Sequence, residues 1–144
     1  MLVQQIIKSK GSAEVVTISP SAEMSNAVAL LCARKIGAVV VSQDGKSADG
    51  ILSERDIIRA LGSKGQVCLS SPVSDYMTKS PVCAAPGDST DAVLEKMSEG
   101  RFRHMPVTDN DVLVGLISIG DVVKARLDQL SMEKDALQGM IMGH

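Results

Sequence analysis

Two hydrophobic rhythms alternate along this chain. Val15-Val-Thr-Ile18 is a β-branched run that stops at Ser19-Pro20, a turn proline favours, and it predicts a short strand. Met24, Ala27, Val28, Leu31 and Cys32 then recur at i, i+3, i+4, i+7 and i+8, the stripe of an amphipathic helix. Gly37 is placed to close that helix as a left-handed C′ residue. Ala38-Val-Val-Val41 predicts a buried strand, Asp44-Gly45 a hairpin-type turn, Gly50 to Ser53 the partner strand, and Glu54 to Leu61 a second helix.

The same order then returns. Val82 to Ala84 reads as a strand, Ser89 to Glu99 as a helix ended by Gly100, and Met105–Thr108 and Leu113–Ser118 as a strand pair. Asp109-Asn-Asp111 forms their turn, and a final helix begins near Gly120. Residue identities carry the repeat as well. Gly50-Ile-Leu-Ser-Glu-Arg-Asp-Ile-Ile-Arg-Ala60 matches Gly115-Leu-Ile-Ser-Ile-Gly-Asp-Val-Val-Lys-Ala125, and only Glu54/Ile119 and Arg55/Gly120 differ sharply. Upstream the register changes by one residue: Val16 meets Val82, Pro20 meets Pro86, Ile36 meets Phe102 and Val41 meets Val107. One unit is written twice, as strand, helix, strand, strand, helix.

The organisation that follows is a first copy over residues 1–62, a connector over 63–80, a second copy over 81–126 and a helical extension over 127–144. The connector is rich in Gly, Ser and Pro, with a helical turn at Val73–Met77. A half of about 65 residues buries little core alone. Two sheets sharing an apolar interior, related by a pseudo-twofold axis, are the natural α+β solution. In the extension, Leu127, Leu130, Lys134, Leu137 and Ile141 fall at near-helical spacing. Such a ragged stripe serves a home core, a dimer or a partner.

Composition narrows the function. Fifteen Lys and Arg stand against 17 Asp and Glu, a net charge of −2 that gives no general grip on nucleic acid or anionic membrane. The aromatic side chains are Tyr76 and Phe102, too few for base-stacking platforms. Cys32, Cys68 and Cys83 form no C-x-x-C pair, and His104 and His144 are the only histidines, so disulfide, zinc and His-based catalytic designs have little to build on. The segment MLVQQIIKSKG lacks the features of a signal peptide, and no apolar run reaches the roughly 18 residues of a membrane span. A reduced, cytoplasmic protein is expected. Phosphate-binding glycine loops, G-x-G-x-x-G and H-E-x-x-H are absent, which argues against an enzyme.

The chemical signal is the repeated S-x-x-D, Ser53 with Asp56 and Ser118 with Asp121. Its plain structural reading is a helix capping box, for which the spacing fits. A binding reading competes, since an ionised Asp accepts hydrogen bonds from both hydroxyls of a ribose, and a helix's first turn meets phosphate. Plain readings stand beside the other candidates too. His104 is as well explained by solvated surface as by phosphate contact, Thr17 by β-branched strand filler, Cys32 by a buried inert thiol, and the methionines by core packing. Arg55 opposes the helix dipole in a first turn, which favours an anionic neighbour.

Taken together, Ile36-Gly-Ala-Val-Val-Val41, Phe102-Arg-His-Met-Pro-Val107 and the two G-h-h-S-x-x-D stretches, in a doubled order introduced by Met77-Thr78, resemble the CBS domain over about residues 3–126. The resemblance implies a stand-alone tandem pair, a regulatory module binding AMP, ADP, ATP or NAD in crossed clefts, with no metal. One cleft would combine Ser80, Val82, Phe102, Arg103 and His104 with Ser53, Arg55 and Asp56; its twin would combine Thr17, Ile36, Gly37 and Ala38 with Ser118 and Asp121. It also implies a flat antiparallel homodimer and a regulated protein in trans. Arg55, Arg103 and His104 give the Asp56 cleft more cationic character, so phosphate-rich ligands should favour it. The rival function is a nucleotide-free dimeric scaffold that docks a partner.

Overall fold

The computed structural model describes residues 1–11 and 15–141; His144 lies outside them. Helices and strands alternate as α1 (Val3–Ser9), β1 (Thr17–Ile18), α2 (Met24–Arg34), β2 (Ala38–Val41), β3 (Gly50–Ser53), α3 (Glu54–Lys64), β4 (Thr78–Lys79), α4 (Thr90–Gly100), β5 (His104–Asp109), β6 (Val112–Ser118) and α5 (Ile119–Ile141). Two 3-10 segments, Gly65–Ser70 and Val73–Asp75, fill the connector. The architecture is α+β with two sheets, one of order β1-β2-β3-β4 and one pairing β5 with β6.

Each repeat owns a core. Met24, Ala27 and Leu31 of α2 pack on Val39, Val41 and Leu52, while Val93 and Met97 of α4 pack on Met105, Val107 and Ile117. The inward side chains of both helices follow the i, i+3, i+4 spacing of their stripes. β1 runs parallel to β2, and in the second repeat the matching contact is the single parallel bridge from Ala84 to Val107. The expected strand at Val82–Ala84 therefore contracts to one bridge, and that at Val15–Ile18 to two residues.

The lead-in of each repeat docks on the other repeat. Val3 N–H donates to Asp88 O at 2.9 Å, and its counterpart Val73 N–H donates to Ala22 O at 2.8 Å. Thr90 N–H donates to Met1 O at 3.0 Å, as Met24 N–H does to Ser71 O at 2.9 Å. The exchange explains the repeated glycine: a Cβ at Gly50 would run into Met77, and one at Gly115 into Ile7. α1 itself is absent from the sequence reading, although Val3, Ile6 and Ile7 have helical spacing. It buries Val3 and Ile6 in the core of the second repeat, not the first.

One glycine assignment needs correction. The left-handed residue after α2 is Lys35 (φ 54°), not Gly37, and the one after α4 is Arg101 (φ 55°), with Gly100 the last helical residue. Gly100 serves a different purpose, leaving room for the Phe102 ring that folds back over it. The two-residue β5–β6 turn places Asn110 and Asp111 at φ 50° and 66°, the positive pair that a tight hairpin requires. In the β2–β3 loop, Asp44 Oδ1 accepts from the Lys46 and Ser47 N–H groups, and these bonds hold its carboxyl down at about 2.

α5 leaves the second core after Ala125, and Leu127, Leu130, Leu137 and Ile141 are exposed along it. Cys32 is exposed rather than buried, because it lies past Leu31 on the rim of the groove between α2 and α3.

Candidate functional site

Two clefts open where the repeats meet, each built from both. The first has a volume of about 310 Å³. Ser53, Arg55 and Asp56 from the start of α3 face Ser80, Val82, Phe102, Arg103 and His104 across it. The eight residues that sequence reasoning assigned to this cleft all border it, together with Arg59 and Arg101. Four arginines thus surround it against the carboxylates of Glu54 and Asp56, and none of the four makes an ion pair among the described residues.

The second cleft, about 510 Å³, brings Ile36, Gly37 and Ala38 together with Ser118 and Asp121. Thr17 is not part of it: Val15 and Val16 border the cleft, and Thr17 is one step further on, already paired with Val40 in the sheet. The repeat contained this correction, because Val16, not Thr17, matches Val82. Aliphatic groups from Ile7, Val114 and Leu116 complete the walls, and Lys10 and Lys35 supply its cations. Lys10 escaped the sequence reading. It becomes visible when Leu2–Lys10 is laid on Pro72–Ser80, which pairs Val3 with Val73, Ile7 with Met77 and Lys10 with Ser80.

Both S-x-x-D motifs form the capping box, in slightly different ways. Ser53 N–H and Oγ–H donate to Asp56 Oδ2 at 2.9 and 3.0 Å, and Asp56 N–H donates back to Ser53 Oγ at 3.3 Å. Ser118 N–H donates to Asp121 Oδ2 at 2.9 Å, and Asp121 N–H to Ser118 Oγ at 3.1 Å. Capping and ligand binding are compatible, because each cap uses Oδ2, and among the described residues neither Oδ1 accepts a hydrogen bond. One carboxylate oxygen thus orients the side chain while the other keeps its lone pairs for a further donor.

Lys10 Nζ donates to the same Asp121 Oδ2 at 2.8 Å and to Leu116 O at 2.9 Å. Burial pushes the Asp121 carboxyl up, but the Lys10 and Ser118 hydrogen bonds and the Lys10 charge outweigh it and leave the group below the usual carboxylate range. His104 borders both clefts, as Gly37 does. Burial holds its imidazole below the ordinary value, with Glu54 and Asp121 pulling upward, so the neutral ring is favoured at the shared wall. The main chain repeats this symmetry: Glu54 N–H donates to Gly37 O at 2.9 Å and Ile119 N–H to Arg103 O at 2.8 Å.

No group of three or more His, Cys, Asp or Glu among the described residues is arranged to hold a metal ion, and no described helix is long and apolar enough to cross a membrane.

Comparison with known proteins finds two matching units in the chain. The CBS domain model matches residues 5–63 and 73–128. The chain is 30% identical over 130 residues to the CBS domain-containing protein YhcV of Bacillus subtilis, covering 88% of this chain and 87% of that one. It spans about a quarter of the length of longer relatives such as CBSCBSPB2 of Arabidopsis thaliana, at 28% identity and 25% coverage of that protein. Among solved structures, the CBS-domain protein ATU1752 from Agrobacterium tumefaciens superposes with a TM-score of 0.83 at 44% identity, covering 88% of this chain and 99% of that one. The fold is shared with PAE2072 from Pyrobaculum aerophilum, solved with AMP (TM-score 0.73, 23% identity, 84% and 89% coverage). It is also shared with the MJ0100 domain pair, solved with 5′-methylthioadenosine and S-adenosylmethionine (TM-score 0.78, 22% identity, 90% and 98% coverage). With two matched units, two cores and two clefts between them, the chain belongs to the CBS-domain family and carries the domain in tandem.

Proposed function

We propose that this chain is a regulatory module, not an enzyme, that binds adenine nucleotides (AMP, ADP, ATP or NAD) in its two clefts. The observation that carries this reading is the duplicated cleft in which a capped Asp keeps one carboxylate oxygen unbonded opposite the strand wall of the other repeat. The adenosine-type ligands of PAE2072 and MJ0100 support the same chemistry in this fold. Asp56 and Asp121 would each accept the ribose hydroxyls, and strand backbone would read the base without an aromatic platform. Ligands with several phosphates would favour the Asp56 cleft, where four arginines gather, since each charge-assisted contact contributes roughly 1.5–3 kcal/mol.

The module would act as a cytoplasmic homodimer that transmits ligand occupancy to a protein in trans. Light scattering at micromolar protein tests the dimer, and a monomeric mass contradicts it. A thermal shift series with AMP, ATP and NAD tests binding. Ligand at about 100 times its dissociation constant adds roughly 2.7 kcal/mol. Loss of the ATP shift in Asp56→Ala, with AMP binding kept, supports the division of labour between clefts. No shift with any nucleotide would favour a nucleotide-free scaffold, for which the exposed Leu127, Leu130 and Leu137 of α5 offer a docking stripe.

A further inference from the structure

We propose that Lys10 is the specificity-determining residue of the Asp121 cleft and makes it a nucleoside 5′-monophosphate site; this rests on the adenine-nucleotide reading above. The two clefts obtain their cations from different places. The Asp56 cleft carries Arg55 on the first turn of α3, and the matching position in α5 is Gly120. In exchange, where the second lead-in presents Ser80 to the Asp56 cleft, the first presents Lys10 to the Asp121 cleft. An ammonium thus enters from the lead-in that packs beside β6, tied to Asp121 Oδ2 at 2.8 Å and to Leu116 O at 2.9 Å.

An ammonium has three donors, and these two bonds leave one for an incoming anion. A nucleoside that gives its diol to Asp121 Oδ1 offers Lys10 nothing. A monophosphate supplies both partners, the diol for the carboxylate and an oxygen for the ammonium. Among the described residues, further phosphates meet Lys35 here as the second lysine, whereas the other cleft holds four arginines. The Lys10–Asp121 pair itself is half exposed, with side-chain exposures of 44% and 27%, and such pairs contribute little to folding. Lys10 therefore bears on ligand choice far more than on stability.

The test is calorimetric titration of adenosine and AMP into Asp56→Ala, and into Asp56→Ala combined with Lys10→Met or Lys10→Arg. Asp56→Asn replaces Asp56→Ala as the background if the alanine variant melts near the working temperature. The expected result is a preference for AMP over adenosine of about tenfold or more, collapsing in Lys10→Met and restored in Lys10→Arg, with melting temperatures unchanged by either Lys10 substitution. An AMP preference that survives Lys10→Met overturns the assignment and leaves the nucleotide reading standing. AMP binding to the wild type that disappears entirely in the Asp56 background also overturns it. No AMP binding to the wild type at all sinks both.

Discussion

The seam between the repeats is tested most directly at Gly50. A Cβ there would stand 2.5 Å from Met77 Sδ and 3.0 Å from the Thr78 carbonyl oxygen. The sulfur sits on a flexible side chain, but the carbonyl is main chain of β4, held in register by the Ile51–Thr78 and Gly50–Lys79 pairs. Gly50→Ala must therefore push β4 off β3 or compress the contact, and overpacking of this kind costs about 1–3 kcal/mol. Against this, alanine restricts the unfolded chain and returns roughly 0.4–1 kcal/mol. A net loss of about 1–2 kcal/mol remains. Gly115→Ala is the control, because the nearest atom to an added methyl is the far end of the Ile7 side chain rather than main chain. A strained rotamer costs about 0.5–1.5 kcal/mol, so the net change there is close to zero. Urea denaturation of the two variants, with midpoints compared at unchanged slope, reads the difference. Gly50→Ala should also weaken ligand binding in the Asp56 cleft, because Thr78 and Ser80 border it. A Gly115→Ala loss equal to or larger than that of Gly50→Ala would refute the docking scheme.

Other expectations concern single groups. His104 and Asp121 both have folded-state values below their ordinary 6.5 and 3.8, so the unfolded chain binds the extra proton. Their stabilisation is present above those ordinary values and is lost as pH falls through the folded ones. The urea midpoint should thus decline as pH falls below the ordinary imidazole value of 6.5, and His104→Gln should flatten the first part of that decline; a flat wild-type profile contradicts the burial of the imidazole. Ser53→Ala removes the hydroxyl that accepts from Asp56 N–H and should cost about 1 kcal/mol by denaturant titration, with no change pointing to a dispensable cap. Met97→Ala empties a position 1% exposed in the second core and should cost about 2–5 kcal/mol; a loss below 1 kcal/mol would mean that the core refills.

Much of the fold was legible because it is local. The stripes of α2 and α4, the β-branched runs and the turn at Asn110-Asp111 are written in neighbouring residues, and duplication printed each of them twice. Within the clefts, the residues at strand ends and helix starts could be placed because Gly50–Asp56 and Gly115–Asp121 align with each other. The left-handed cap of α2 is misplaced at Gly37 for an equally local reason: a glycine near a helix end attracts the assignment, yet Lys35 takes that conformation, as Arg101 does after α4. Gly37 lies two residues past Lys35, and Gly100 is occupied with making room for Phe102.

Sequence by itself determined that one unit was doubled and that each S-x-x-D has the spacing of a helix cap. Tertiary structure alone decided that the lead-ins change places, so that Val3 reaches Asp88, and Lys10 reaches Asp121 across 111 residues of chain. Periodicity reports which face of an element is apolar, but not which distant surface covers it. A two-residue strand such as β4 or a seven-residue helix such as α1 carries too little pattern of its own to name its partner, and only packing supplies it.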